Sequence, residues 1–88
     1  MVDLSSHPLY PVFLQVAAEY NRSVALHCDW RGHSIEAKLL AVSGEYDEVM
    51  DAYAINDLYG DHGVVREAIQ LANCACKLVL TTGGNDGT

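Results

Sequence analysis

The side chains that could do chemistry in this 88-residue chain are three cysteines, four histidines and one dense run of acids. Cys74-Ala75-Cys76, with Cys28 as a third thiol, invites comparison with zinc sites, which draw on paired Cys and His ligands. The spacing argues against that. A second Cys or His pair is missing, and on a helix positions 74 and 76 point about 200° apart, too far to share a tetrahedral ion. Thiols in or near the core are the simpler reading, and an odd number of them does not make a disulfide framework. His27-Cys28-Asp29 with His33 is a second cluster. A Cys-His nucleophilic pair needs side chains converging within hydrogen-bond reach beside an oxyanion site, and nothing in this pattern dictates either. No catalytic residue is assigned, and the expectation is a non-enzyme. Gly83-Gly84-Asn85-Asp86-Gly87 lacks the Lys-Ser/Thr pair and following helix of a phosphate loop.

The acids carry more information. Glu45, Asp47, Glu48, Asp51, Asp57 and Asp61 fall within seventeen residues that hold no Lys or Arg. Their order lacks the alternating Asp/Asn positions, central Gly and closing Glu of a calcium loop, so no metal or cofactor is assigned to them. Local ion pairs cannot neutralise the run, and Tyr46, Tyr53 and Tyr59 are interleaved with it. Tyrosine is enriched at interface cores. The expected partner-binding set is therefore Glu45, Asp47, Glu48, Asp51, Asp57, Tyr59 and Asp61, weighed against a merely solvated acidic face.

Composition sets the frame around these groups. Half the residues are hydrophobic, 19% are charged and the net charge is −7, with six of those negative charges in residues 45–88. Such a chain can fold, as one domain at this length. Its charge removes the phosphate-neutralising term that drives DNA or RNA binding. No run approaches a membrane span, and Met1-Val2-Asp3-Leu4 does not open a signal peptide, so a cytoplasmic location is expected.

The elements that must position the acids follow from periodicity. Ser5-Ser6-His7-Pro8 reads as a helix start, and Leu9, Phe13, Val16, Ala17 and Tyr20 continue it over about residues 6–20. Val24, Leu26, Cys28 and Trp30 alternate, as do Ile35, Ala37 and Leu39. A turn at Arg31-Gly32 would pair these runs as a β-hairpin with its apolar residues on one face. Beyond Ser43-Gly44 the helical period returns at Tyr46, Val49, Met50 and Tyr53. After Gly60-Asp61-His62-Gly63, the residues Val65, Ala68, Ile69, Leu71, Ala72, Cys76 and Val79 form a second stripe with Arg66, Glu67, Gln70, Asn73 and Lys77 opposite. That helix is predicted to about residue 76, with 78–82 extending it or adding a short strand. The expected fold is α+β: helix, hairpin, helix, helix in one domain over 1–82, with 83–88 a Gly-rich tail. An all-α bundle is the alternative.

His7-Pro8-Leu9-Tyr10-Pro11 and Glu45-Tyr46-Asp47-Glu48-Val49-Met50-Asp51-Ala52-Tyr53 resemble the opening motifs of the two halves of the KNOX domain, a helical dimerisation module of plant homeodomain proteins. The likeness covers these two segments only, and that family is helical where this chain alternates between them. The resemblance implies a protein-binding module with Leu9, Tyr10, Met50 and Tyr53 on the pairing face. The residues themselves point to a small acidic protein that binds and inhibits or modulates a larger protein with a basic surface. Such a protein would be an inhibitor or nucleic-acid mimic similar in character to anti-CRISPR proteins, without direct nucleic-acid or membrane binding. The alternatives are a homo- or heterodimerisation module of a transcriptional regulator, and a small metal-binding protein using Cys and His.

Overall fold

A computed structural model describes residues 3–27 and 29–82. Three helices follow a 3-10 turn at Leu4–Ser6: α1 (Tyr10–Leu26), α2 (Ile35–Ala54) and α3 (Val64–Thr82). The described residues contain no strand, so the expected α+β fold is replaced by the all-helical alternative. Helix α3 packs against both α1 and α2, whose backbones do not approach each other. The result is a flat layer measuring 43 × 36 × 19 Å with α3 in the middle. None of its helices is long and apolar enough to cross a membrane.

Helix α1 starts later than its period suggests. Asp3 caps the 3-10 turn, its side chain accepting from the Ser5 N–H at 3.0 Å, and His7 Nδ1 accepts from the Leu9 N–H at 3.1 Å. Pro11 falls in the first turn of α1, where the missing N–H is no loss.

The predicted hairpin dissolves into two helix ends. Val24 and Leu26 finish α1, whereas Ile35, Ala37 and Leu39 begin α2. Cys28 lies outside the described residues. The physical reason is local. Two short alternating runs cannot by themselves exclude a helix, and the second is filled with good helix formers: Glu36, Ala37, Lys38, Leu39 and Leu40. Ser34 then decides the start, its hydroxyl accepting from the Ala37 N–H at 3.1 Å as a regular N-cap, with Glu36 favourably placed in the first turn. A two-residue hairpin turn at Arg31-Gly32 needs positive φ at its first central residue, and in the type I′ form at both. Here positive φ falls instead on Trp30 (74°) and Gly32 (87°), in an irregular link where Asp29 holds the Arg31 N–H at 3.0 Å.

Helix α2 also runs through Ser43-Gly44, which is no break. It ends where Asn56 takes a left-handed conformation (φ 60°), a common helix stop. The loop beyond is built around Asp57. Its carboxylate accepts from the Gly60 N–H at 2.9 Å, its amide donates to the Ala52 carbonyl at 3.0 Å, and its carbonyl accepts from Val64 at 2.8 Å. A Cβ on Gly63 would lie 2.8 Å from the Gly60 nitrogen and 2.9 Å from the Leu58 carbonyl carbon, so only glycine fits. Helix α3 continues through Leu78–Thr82 rather than ending near 76 or forming a strand. The predicted tail, 83–88, lies outside the described residues.

Two glycines separate the helix from the loop. A Cβ at Gly44 meets open space. Gly44→Ala is expected to stabilise the fold by about 0.5–1 kcal/mol, because glycine in a helix interior loses that much to backbone entropy. Gly63→Ala should destabilise it by about 1–3 kcal/mol through the backbone clash. Paired thermal melts followed by circular dichroism check both signs.

Candidate functional site

The side of α3 expected to face solvent is the side that packs. Among the described residues, buried side chains include Glu19, Ser23, Lys38, Glu67, Asn73 and Lys77, and the buried hydrophobic ones are Ala52 and Ile69. Val65 and Val79, from the apolar stripe, are exposed. The seam between α1 and α3 is therefore held largely by polar contacts. Glu19 on α1 accepts from Arg22 Nε at 3.1 Å and from Arg66 Nη2 of α3 at 3.0 Å. Asn73 Nδ2 donates to Ser23 Oγ at 3.2 Å, and that hydroxyl donates to the Tyr20 carbonyl at 3.0 Å. Lys77 places its ammonium 4.5 Å from the Trp30 ring centroid, a cation–π distance. Lys38 Nζ, at the start of α2, donates to the Thr81 carbonyl at 3.0 Å and to Thr82 Oγ1 at 3.1 Å, a cation at the negative end of α3.

A second feature lies between α2 and α3. Carboxylate oxygens of Glu45 and Glu48 on α2 and Glu67 on α3 all lie within 4.8 Å of one another. Glu67 is 2% exposed, and neither of its carboxylate oxygens has a hydrogen-bond partner; Glu45 Oε2 is likewise buried without one. His62 Nδ1 stands 3.8 Å from Glu67 Oε1. Burial, then the charge of Glu48, pushes the Glu67 carboxyl up. Burial, with Glu48 and Glu67 adding repulsion, pushes Glu45 up to about 7.

The third feature is apolar. Between α1 and α3 runs an open groove of about 530 Å³ lined by Leu9, Val12, Phe13 and Val16 on one side and by Cys76 and Leu80 on the other. The His7 ring stacks on Phe13 at 5.8 Å between centroids, at the mouth of α1. On α2, Leu39, Leu40, Tyr46, Met50 and Tyr53 are also exposed. Exposed apolar patches of this kind mark interaction surfaces in soluble proteins.

The expected partner-binding residues do not form one continuous face. Asp47, Glu48 and Asp51 are exposed on α2, and Tyr59 (84% exposed) and Asp61 project from the following loop. Glu45 instead turns into the seam against Glu67, and Asp57 is occupied with capping its own loop. Among the described residues, the carboxylates converge and the histidines and cysteines do not. Cys74 is half-buried, and burial pushes its thiol up to about 11, which leaves it protonated and a poor nucleophile. Cys76 is exposed on the groove side. Sequence reasoning missed Glu67, Glu19 and Arg66. A signal existed, since all three are charged residues on helical segments, but spacing set Arg66 and Glu67 opposite the apolar stripe and singled out no role for Glu19.

Against models of protein families, curated proteins and solved structures, the chain has no match.

The polar seam makes a pH prediction. The Arg22 guanidinium beside Glu19 holds its carboxyl below the usual carboxylate range, with Arg66 adding to it. A depressed carboxyl contributes stability that is present above the unfolded-state pKa and is lost as pH falls through the lower folded value. Glu19→Gln should therefore lower stability by about 1–2 kcal/mol at pH 7, where charged hydrogen bonds are lost. The variant's melting temperature should also fall less than the parent's on the acid side, below about pH 4.5. Thermal melts of both proteins from pH 7 to pH 3 measure the difference.

Proposed function

We propose that this chain is a non-enzymatic, cytoplasmic protein-binding module that modulates a larger, basic partner protein. The observation that carries the reading is the apolar groove between α1 and α3, open along its length while polar side chains occupy the packed seam. An amphipathic helix laid in such a groove gains affinity from apolar anchors at helical spacing. Acids set the choice of partner. Asp47, Glu48, Asp51 and Asp61 are exposed on a chain of net charge −7, so a second acidic copy meets repulsion and a basic surface meets attraction. In this reading the apolar contact supplies most of the affinity, whereas the acids raise the association rate and discriminate among partners. Free thiols at Cys74 and Cys76 suit a reducing compartment.

Two double variants test the division of labour, each checked for unchanged helicity by circular dichroism. Phe13→Asp with Leu80→Asp should weaken retention of a partner from source-cell lysate by more than tenfold at any salt concentration. Asp47→Lys with Asp51→Lys should weaken it at low salt and flatten its salt dependence. Retention unaffected by the groove variant would overturn the proposal. So would purified wild-type chain sedimenting as a stable oligomer that excludes the partner.

A further inference from the structure

We propose that Glu45, Glu48 and Glu67, with His62, form a binding site for one divalent transition-metal ion that ties α2 and its following loop to α3. Three observations converge on it. First, the three carboxylates meet from two different helices, their nearest oxygens within 4.8 Å of one another, with the His62 imidazole nitrogen 3.8 Å from a Glu67 oxygen. Three oxygens bound to a common ion at about 2.0–2.2 Å lie about 3.3–3.8 Å apart, so side-chain rotations of about an ångström bring the three carboxylates onto one ion. Second, Glu67 is 2% exposed and both of its oxygens lack a hydrogen-bond partner, and Glu45 Oε2 is buried in the same condition. A buried carboxylate without a partner is among the costliest groups in a fold, and here the exposed Glu48 adds repulsion to Glu45 and Glu67. Third, the guanidinium groups on the α1 side are hydrogen-bonded to another carboxylate: Arg22 and Arg66 both donate to Glu19.

The donor set selects the ion. Three carboxylates and one imidazole form a mixed oxygen and nitrogen shell, which suits zinc, manganese or ferrous iron. It lacks the thiolates of a soft-metal site and the six to eight oxygens of a calcium site. An ion here would carry two positive charges into a cluster of three mutually repelling carboxyl groups. It would also pin His62, in the loop shaped by Asp57 and Gly63, to the first turn of α3. This site shares no residue with the lining of the apolar groove and does not depend on the proposed function.

Zinc chloride and manganese chloride, titrated separately by calorimetry into chelator-treated full-length chain, test the assignment. The expected result is one ion per chain and a higher melting temperature with the ion bound. Glu67→Gln and Glu48→Gln should each weaken affinity at least tenfold, as ligand loss does, while Asp47→Asn, an exposed acid off the cluster, should leave it within twofold. Glu48 is exposed, so Glu48→Gln retains helicity and reads binding even where Glu67→Gln perturbs the fold. Binding without unit stoichiometry would overturn the site. So would a loss of affinity in Asp47→Asn equal to that in Glu48→Gln, which would mark general attraction to the acidic surface. No binding of either ion at millimolar concentration would show that protons alone resolve the cluster and would also overturn it.

Discussion

The arrangement rests on the Glu19 carboxylate, buried on α1 and held by Arg22 from its own helix and by Arg66 from α3. That pair of guanidinium contacts chooses which side of α3 faces inward. Once Arg66 turns toward α1, helical periodicity carries Asn73 to Ser23 and Lys77 to Trp30 on the same flank, seven and eleven residues further along. Glu67, one position on, is swung toward α2 instead. One ion pair on α1 thus sets both seams: a hydrogen-bonded one toward α1 and a carboxylate-rich one toward α2.

Such a seam orients helices better than it stabilises them. Taking charges and amides out of water costs nearly what their pairing returns, so a polar interface specifies geometry at small net gain. The usual driving term, burial of apolar area, is correspondingly weak here, because Ile69 and Ala52 are the buried hydrophobic residues among those described. Apolar side chains turned outward are the complement of polar ones turned inward. A helix has a limited circumference, and the residues on Arg66's side of α3 exclude Val65, Cys76 and Val79 from the packed face.

This inversion explains which features were legible in the sequence. Helical periodicity located α3 and the second half of α2, and it does so whichever face is buried. Direction was assigned by the rule that apolar stripes face the core, and α3 follows the opposite choice. The hairpin failed for a different reason. Residues 24–30 and 35–39 carry alternation too short to outweigh the Ser34 cap and the helix-forming run after it, and Gly44 was read as a stop although nothing surrounds it that a side chain would strike. The acidic run was legible as charge but not as geometry. Its members fall on α2 and on the loop beyond it, and only the packing of α3 shows that Glu45 and Glu48 meet Glu67 while Asp57 closes a loop.

Placing the charge inside and the apolar surface outside links folding to whatever covers that surface. A groove left in water adds nothing to stability, whereas the same groove filled by a helix buries Phe13, Val16 and Leu80 at roughly 25 cal/mol per Å². The polar seam meanwhile keeps α1 and α3 at a fixed separation before any partner arrives, so the groove is formed in advance and its occupant loses less entropy on binding than one that must first draw the helices together. The two kinds of contact therefore act in sequence: buried charge sets the spacing of the helices, and that spacing sets the width of the apolar surface they present.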